Sequence, residues 1–221
     1  MDDEKPVLAF DTSAAHCAAA LLRDGKIIAA AHVEMGRGQA EHLLPMLEDI
    51  LAENSLRWAD IGRIGVGIGP GNFTGIRISV AAARGLSLGL AVPAIGVSGL
   101  EVLAEGEPGT VLAALPAPRN AVYLQLLTDG KPLGAPRLAT PDAPPEDLLL
   151  PTDTRIVGEA ADRLGARLGR PFETRPLTDI APRIARLAAA RVSTNMPRPA
   201  PLYVRPADAA PPADPPPVIL P

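Results

Sequence analysis

An α/β fold built on a mixed sheet is predicted by three observations. Three short apolar runs near the start follow one another with tight-turn residues between them, the pattern of an antiparallel meander. From Leu43 the apolar residues change to helical spacing. A continuous apolar run, Ile61 to Ile68, then leads through a Gly-Pro-Gly turn into a second helix and a further strand. That alternation belongs to a sheet covered on both faces.

The elements follow in order. Val7 to Phe10 is the first strand, closed by Asp11, Thr12 and Ser13. Cys17 to Leu22 is the second, and Asp24-Gly25 is a strong hairpin signal before the third, Ile27 to Val33. Leu43, Leu44, Leu47, Ile50 and Leu51 share one helix face, with Glu48, Asp49 and Glu53 towards the other. Pro45 is expected in the first turn, where its missing N–H costs little. The helix after the turn starts near Thr74 and runs to about Leu88, with Asn72 and Thr74 both suited to cap it. Val92 to Val97 is the next strand.

The second half carries weaker signals. Val111 to Leu115 and Val122 to Leu127 read as strands around a turn at Pro116, Pro118 and Asn120. Residues 132–154 are expected to form loop and partial helix. Arg155 to Gly158 reads as strand, and Ala160 to Leu168 and Ile180 to Val192 as helices. From Pro197 onward lie 10 of the 26 prolines, which excludes helix and inner strand there. Only Pro201 to Arg205, PLYVR, is expected to be pinned down. The organisation is a well-specified unit over 1–104, a smaller one over 105–196 and a proline-rich extended tail over 197–221.

Composition narrows the function. The chain has 221 residues, of which 47% are hydrophobic, enough to bury a real core. Its net charge of −4 argues against a principal role in gripping nucleic acid, though not against membership of a complex whose other subunit does so. Aromatics make up only 3%, which argues against a base-stacking surface. Cys17 is the only cysteine, so no intrachain disulfide and no Cys-based zinc site can form. The start, MDDEKPVLAFDTS, has no basic n-region, and no apolar run reaches the roughly 18 residues of a membrane span. A soluble cytoplasmic protein with no membrane contact is expected.

The richest stretch is Gly65 to Arg84, GVGIGPGNFTGIRISVAAAR. A turn made by Gly69 and Gly71, followed by Asn72 and Thr74 at a helix start, is either an anion cradle or a structural turn. No Gly-Lys-Ser/Thr follows, so it is not a Walker A loop, and the Rossmann glycine spacing fails. Asp11, Thr12 and Ser13 at a strand end allow the same two readings, a metal-bound phosphate or an Asx-stabilised turn. The histidines His16, His32 and His42 match no metal-binding spacing, and no nucleophile–base arrangement is legible. The small face of the helix, Gly75, Ser79, Ala82 and Ala83 with Gly85 and Gly89 beyond, is expected to stay free of the core. Together with the earlier helix, through Leu43 and Leu47, it would meet a second molecule. Arg77 could then pair with a partner's carboxylate.

These segments carry a resemblance. LAFDTS, the Asp-Gly hairpin, HLLPMLEDILAE and IGVGIGPGNFTGIRISVAAARGLSLGLAVPAIGVSGLEVLA are similar to the TsaB (YeaZ) family over residues 7 to about 104. The GPG-x-FTG-x-R element is highly specific to it, and PLYVR resembles the family's P-x-YLR ending. The resemblance implies an ASKHA (actin-like ATPase, ribonuclease-H-like) fold, with mixed sheets flanked by helices in two lobes, the second reduced. It also implies a non-catalytic scaffold or activator that dimerises with TsaD and works with the ATPase TsaE. That complex adds a threonylcarbamoyl group to the adenosine 3′ of the anticodon in ANN-decoding tRNAs. The tRNA would be met only through the complex, and the chain alone would form a homodimer. ATP and metal are expected in the partner complex, and no cofactor on this chain alone.

Two departures bear on that role. TsaD-like enzymes carry a V-N-H-x-x-G-H segment whose histidines hold a metal. The matching stretch here is Val97 to Leu103, with Gly99 and Leu103 at the ligand positions, and neither side chain offers a lone pair. An acid common in the family before Tyr123 is also missing from Ala114 to Val122, which leaves only weak nucleotide binding expected. The alternatives are a stand-alone ATPase or phosphotransferase using Asp11 to Ser13 and the 69–75 turn, or a glycoprotease-like peptidase, for which no nucleophile is visible.

Overall fold

The computed structural model describes residues 5–191 and 197–204. The meander forms β1 (Val7–Asp11), β2 (His16–Arg23) and β3 (Lys26–Glu34), joined at Asp24-Gly25, both with positive φ. α1 (Gln39–Glu53), β4 (Arg63–Gly67), α2 (Phe73–Leu90) and β5 (Ala94–Val97) follow. The sheet order is β3-β2-β1-β4-β5, with β1, β4 and β5 parallel and β2 and β3 antiparallel. Alternation along β1 sends Leu8 and Phe10 to one face and Val7 and Ala9 to the other, and both faces are buried.

A short α3 (Gly99–Leu103) leads to β6 (Thr110–Ala117) and β7 (Ala121–Thr128), then β8 (Lys131–Pro132), β9 (Arg137–Ala139), β10 (Arg155–Val157), α4 (Ala161–Leu168), β11 (Phe172–Glu173) and α5 (Ile180–Ala190). The second sheet runs β11-β10-β6-β7-β8, with β9 also on β7. Its core repeats the first in miniature: an antiparallel pair, β6 and β7, with two parallel strands, β10 and β11, added beyond β6.

Several expectations change. Pro45 lies in the body of α1 rather than its first turn, because the helix begins earlier. Gly38, at φ 85°, starts it, and the Gln39 side chain is tied to the Ala14 and His16 carbonyls. Residues 132–154 hold no helix; β8 and β9 pair with β7 instead. Pro116 is within β6 rather than in the turn. α3 and β11 were not anticipated, since five and two residues are too few for a periodicity to register.

α5, though it falls within residues 105–196, packs on the first sheet. Its Ile180, Ile184 and Ala188 face Val7, Ala9, Ile95 and Val97, while α1 and α2 cover the opposite face. The end of α5 is held by Arg63 of β4, whose Nη1 donates to the carbonyls of Ala188, Ala189 and Arg191 at 2.7–3.0 Å. Glu105, beyond α3, accepts from Arg183 and Arg186 of α5, each at 2.7 Å.

Candidate functional site

The predicted site residues gather where β1 and β4 end side by side. Asp11, wholly buried, uses one carboxylate oxygen for three groups: its Oδ1 accepts from Ser13 N and Ser13 Oγ, both at 2.9 Å, and pairs with His16 Nε2 at 2.7 Å. Its Oδ2 has no hydrogen-bond partner among the described residues. That oxygen lies against Gly67, where a β-carbon would fall 1.7 Å from it. The carboxylate is therefore enclosed by backbone as well as side chains.

The Thr12 and Ser13 hydroxyls and the amides of Ser13, Asn72, Thr74 and Gly75 are already engaged. Thr12 Oγ1 donates to the Gly75 carbonyl at 2.7 Å. Asn72 Oδ1 accepts from both Thr74 N and Gly75 N at 3.0 Å, which makes Asn72, not Thr74, the helix cap. Asn72 N in turn donates to Ser13 O at 2.7 Å. Capping by a side-chain oxygen satisfies the N–H groups that an anion would otherwise take. The turn, with Gly69 at φ 93°, is a structural joint between β1 and α2.

The turn is also tied to α3. Gly69 O accepts from Gly99 N at 2.8 Å, and Ile68 N donates to Val97 O. α3 is closed by a capping box between Ser98 and Glu101. Gly99 sits against Leu115 and Leu177, and Leu103 is buried in the same apolar cluster. Gly99 and Leu103 thus lie in hydrocarbon, which no divalent cation tolerates without ligands. Among the described residues no group of three or more His, Cys, Asp or Glu is placed to hold a metal.

The histidines divide. His16 is buried on Asp11, and its ring centroid is 5.0 Å from that of His32, which pairs with exposed Glu34 at 2.8 Å. His42 stands on α1. Cys17, fully buried, has its thiol pushed up to about 11 by burial and by the charge of Asp11. It is not a nucleophile at neutral pH.

The expected partner face needs correcting. Gly75, Ser79 and Ala83 are buried, as are Leu43 and Leu47 of α1. Ala82 is half-buried against the α1 cluster. The small residues are spent inward. Ser79 Oγ donates to Gly67 O, and a β-carbon at Gly75 would fall 1.9 Å from Thr12 O. They let α2 lie close on the ends of β1 and β4, so the helix buries Ile76 and Val80 on that same side. Among the apolar and small residues that α1 and α2 leave outside are Leu44, Ala81, Gly85 and Leu88.

One feature went unforeseen. The segment Pro197–Val204 lies along α2 as a strap. Leu202 N donates to Ile68 O, Arg84 Nε to Pro199 O at 2.6 Å and Arg77 Nε to the Tyr203 hydroxyl at 2.8 Å. The ring of Tyr203 stacks on Phe73, 5.1 Å between centroids, and the Arg77 guanidinium lies 3.7 Å from the Phe73 centroid. Pro201 to Val204 are pinned as expected, while Arg205 lies outside the described residues. Within the chain, Arg77 thus meets a tyrosine.

Residues 33–206 match the family model described as TsaD, tRNA N6-adenosine threonylcarbamoyltransferase. The chain belongs to this family. Within it the likeness is to TsaB (YeaZ) proteins. The chain is 41% identical over 123 residues to the tRNA threonylcarbamoyladenosine biosynthesis protein TsaB of Escherichia coli (strain K12), covering 53% of this chain and 52% of that one. It is 35% identical over 124 residues to the protein of the same name from Haemophilus influenzae, covering 53% and 51%. The chain therefore spans about half the length of the curated relatives it matches. A solved Pseudomonas aeruginosa protein, described as similar to peptidase YEAZ, superposes with a TM-score of 0.68 at 27% identity. It covers 91% of this chain and 100% of that chain. A component of an Acidaminococcus fermentans dehydratase, 12% identical at a TM-score of 0.51 over 84% of this chain and 96% of its own, shares the fold alone. The two sheets flanked by helices are those of the actin-like ATPase (ASKHA) fold.

Proposed function

We propose that the chain is a non-catalytic subunit in the synthesis of threonylcarbamoyladenosine in tRNA, pairing with a TsaD-type transferase. The observation that carries this reading is the closed site. Asp11, Thr12, Ser13 and the capped turn have spent their donors on one another, and the positions aligned with metal-binding histidines lie in an apolar cluster. The names of the relatives supply the pathway. On this reading the chain holds no nucleotide or metal by itself. ATP and metal belong to the assembled complex, with TsaE as its ATPase, and the transfer is to the adenosine 3′ of the anticodon in ANN-decoding tRNAs.

The pairing surface in this proposal is the outer side of α1 and α2, with Leu44, Ala81 and Gly85 in place of the buried residues. Gly85 has nothing within 4 Å of where a β-carbon would stand, so a partner helix can approach it closely. Without TsaD the same apolar face would pair with a second copy. No helix among the described residues is long and apolar enough to cross a membrane, in keeping with a cytoplasmic complex.

The test is co-purification with TsaD of the same cell and a tRNA modification assay with and without this chain. Modification is expected only when both are present. Ala81→Arg with Gly85→Arg should abolish pairing while the fold survives. Modification by TsaD alone at full rate would overturn the proposal. Tight binding and turnover of Mg-ATP by the isolated chain would instead establish an ATPase.

A further inference from the structure

Charge in this chain is segregated. It carries 25 acidic and 21 basic residues, yet Ile61 to Leu100 contains no Asp or Glu and has Arg63, Arg77 and Arg84. Ile180 to Ala207 likewise has no acid and has five arginines. The fold brings the two stretches together, with α2 beside the strap. Most of the described arginines here are committed. Arg63 holds the α5 carbonyls, Arg183 and Arg186 hold Glu105, and Arg191 pairs with Glu101. Arg77, Arg84 and Arg198 form no ion pair with a carboxylate among the described residues.

These three lie on one flank of the molecule. Arg77 and Arg84 are seven positions apart, two helical turns, which sets them about 10 Å apart along α2. Arg84 and Arg198 both line a groove of about 800 Å³ between the helix and the strap. At the Arg77 end stand Phe73 and Tyr203, 42% and 46% exposed. Ala81, four positions after Arg77, and Gly85 and Leu88, which line the same groove, adjoin this flank, so it borders the pairing face rather than replacing it.

We infer that the flank formed by Arg77, Arg84, Arg198, Phe73 and Tyr203 binds RNA, with the arginines on phosphates and the aromatic pair against an unstacked base. Arginines whose charge meets no carboxylate, grouped on one flank and held in place by neutral partners, are the electrostatic footprint of a phosphate backbone. Aromatic rings beside an arginine supply base stacking. The net charge of −4 does not prevent this, because the acids lie elsewhere in the chain and screening confines their effect to about 8–10 Å. This inference rests on the proposed function only in naming transfer RNA as the RNA.

Fluorescence anisotropy of the full chain with a labelled, unmodified tRNA transcript, over a series of salt concentrations, tests it. Binding is expected to weaken with salt. Arg77→Gln with Arg84→Gln should weaken it about tenfold or more and reduce the log–log salt slope by roughly 0.7–0.9 per arginine removed. Tyr203→Ala should weaken it about fivefold or more with the slope unchanged. Arg198→Gln, which touches no stacked ring, keeps the test valid if the double variant melts at a lower temperature. Wild-type affinity and slope in the folded arginine variants would overturn the inference. So would competition by polyglutamate as effective as by unlabelled tRNA, which would mark an acidic protein surface as the occupant. Pairing of the same variants with TsaD separates the two proposals. Retained pairing with unchanged RNA affinity sinks this one alone, and lost RNA affinity with no TsaD pairing by the wild type sinks the other.

Discussion

Thr12 and Gly75, sixty-three positions apart, are locked together, the hydroxyl of one donating to the carbonyl of the other at 2.7 Å. The approach is so close that a β-carbon at position 75 would fall 1.9 Å from Thr12 O. Backbone cannot yield by that much without moving α2 off the sheet. Gly75→Ala is therefore expected to destabilise by about 3 kcal/mol or more in urea unfolding. Gly85→Ala, on the same helix with open space around it, should stabilise by about 0.5–1 kcal/mol. Equal effects of the two would contradict this account of the turn.

Glu105 joins the end of α3 to α5. Burial alone would raise its carboxyl, but the bonds from Arg186 and Arg183 outweigh that and hold it below its ordinary value of 4.5. A carboxyl lowered in the folded state stabilises above its unfolded value and loses that stabilisation as pH falls through the folded one. Glu105→Gln is thus expected to cost about 1.5–3 kcal/mol near pH 7. The gap to wild type should close as the pH drops below about 4.5, as read by thermal melting across pH. A gap independent of pH would assign the loss to packing.

Cys17 should be inert in the folded chain. Its thiol, pushed up to about 11 and fully buried, is expected to react with iodoacetamide at pH 8 only on the timescale of unfolding. In denaturant it should react at the rate of a free thiol. Fast labelling of the native chain would show the β2 core open.

Arg63 is an internal brace for α5. Its guanidinium donates to three carbonyls at the helix end, Ala188 O, Ala189 O and Arg191 O, the first of which also accepts from Arg191 N. Arg63→Met keeps much of the stem and removes the donors, and should cost about 1.5–3 kcal/mol in chemical unfolding. Hydrogen exchange should locate the loosening in α5 and the strands beneath it.

The first sheet was legible because its signals are local. Asp24-Gly25, the continuous apolar run of β2 and the Gly-Pro-Gly turn are each legible within a few residues. The partner face was misread for a physical reason. Small residues on a helix signal a close neighbour, but not which one, and here Thr12 and Gly67 are that neighbour for Gly75 and Ser79. Tyr203 on Phe73 and Arg77 joins segments far apart in the chain, which no spacing rule reaches. The absence of acids from Ile61 to Leu100 was visible from the start and was the one signal that could have drawn attention to α2 and the strap.

α5 also constrains biosynthesis. The β1–β5 layer waits with one side uncovered until Ile180 to Ala190 has left the ribosome, some eighty residues after β5. A nascent chain stopped before that point displays Val7, Ala9, Ile95 and Val97 to the cell, a sticky surface that chaperones recognise. Fragments ending near residue 104, however well formed their strands, are therefore expected to precipitate rather than persist.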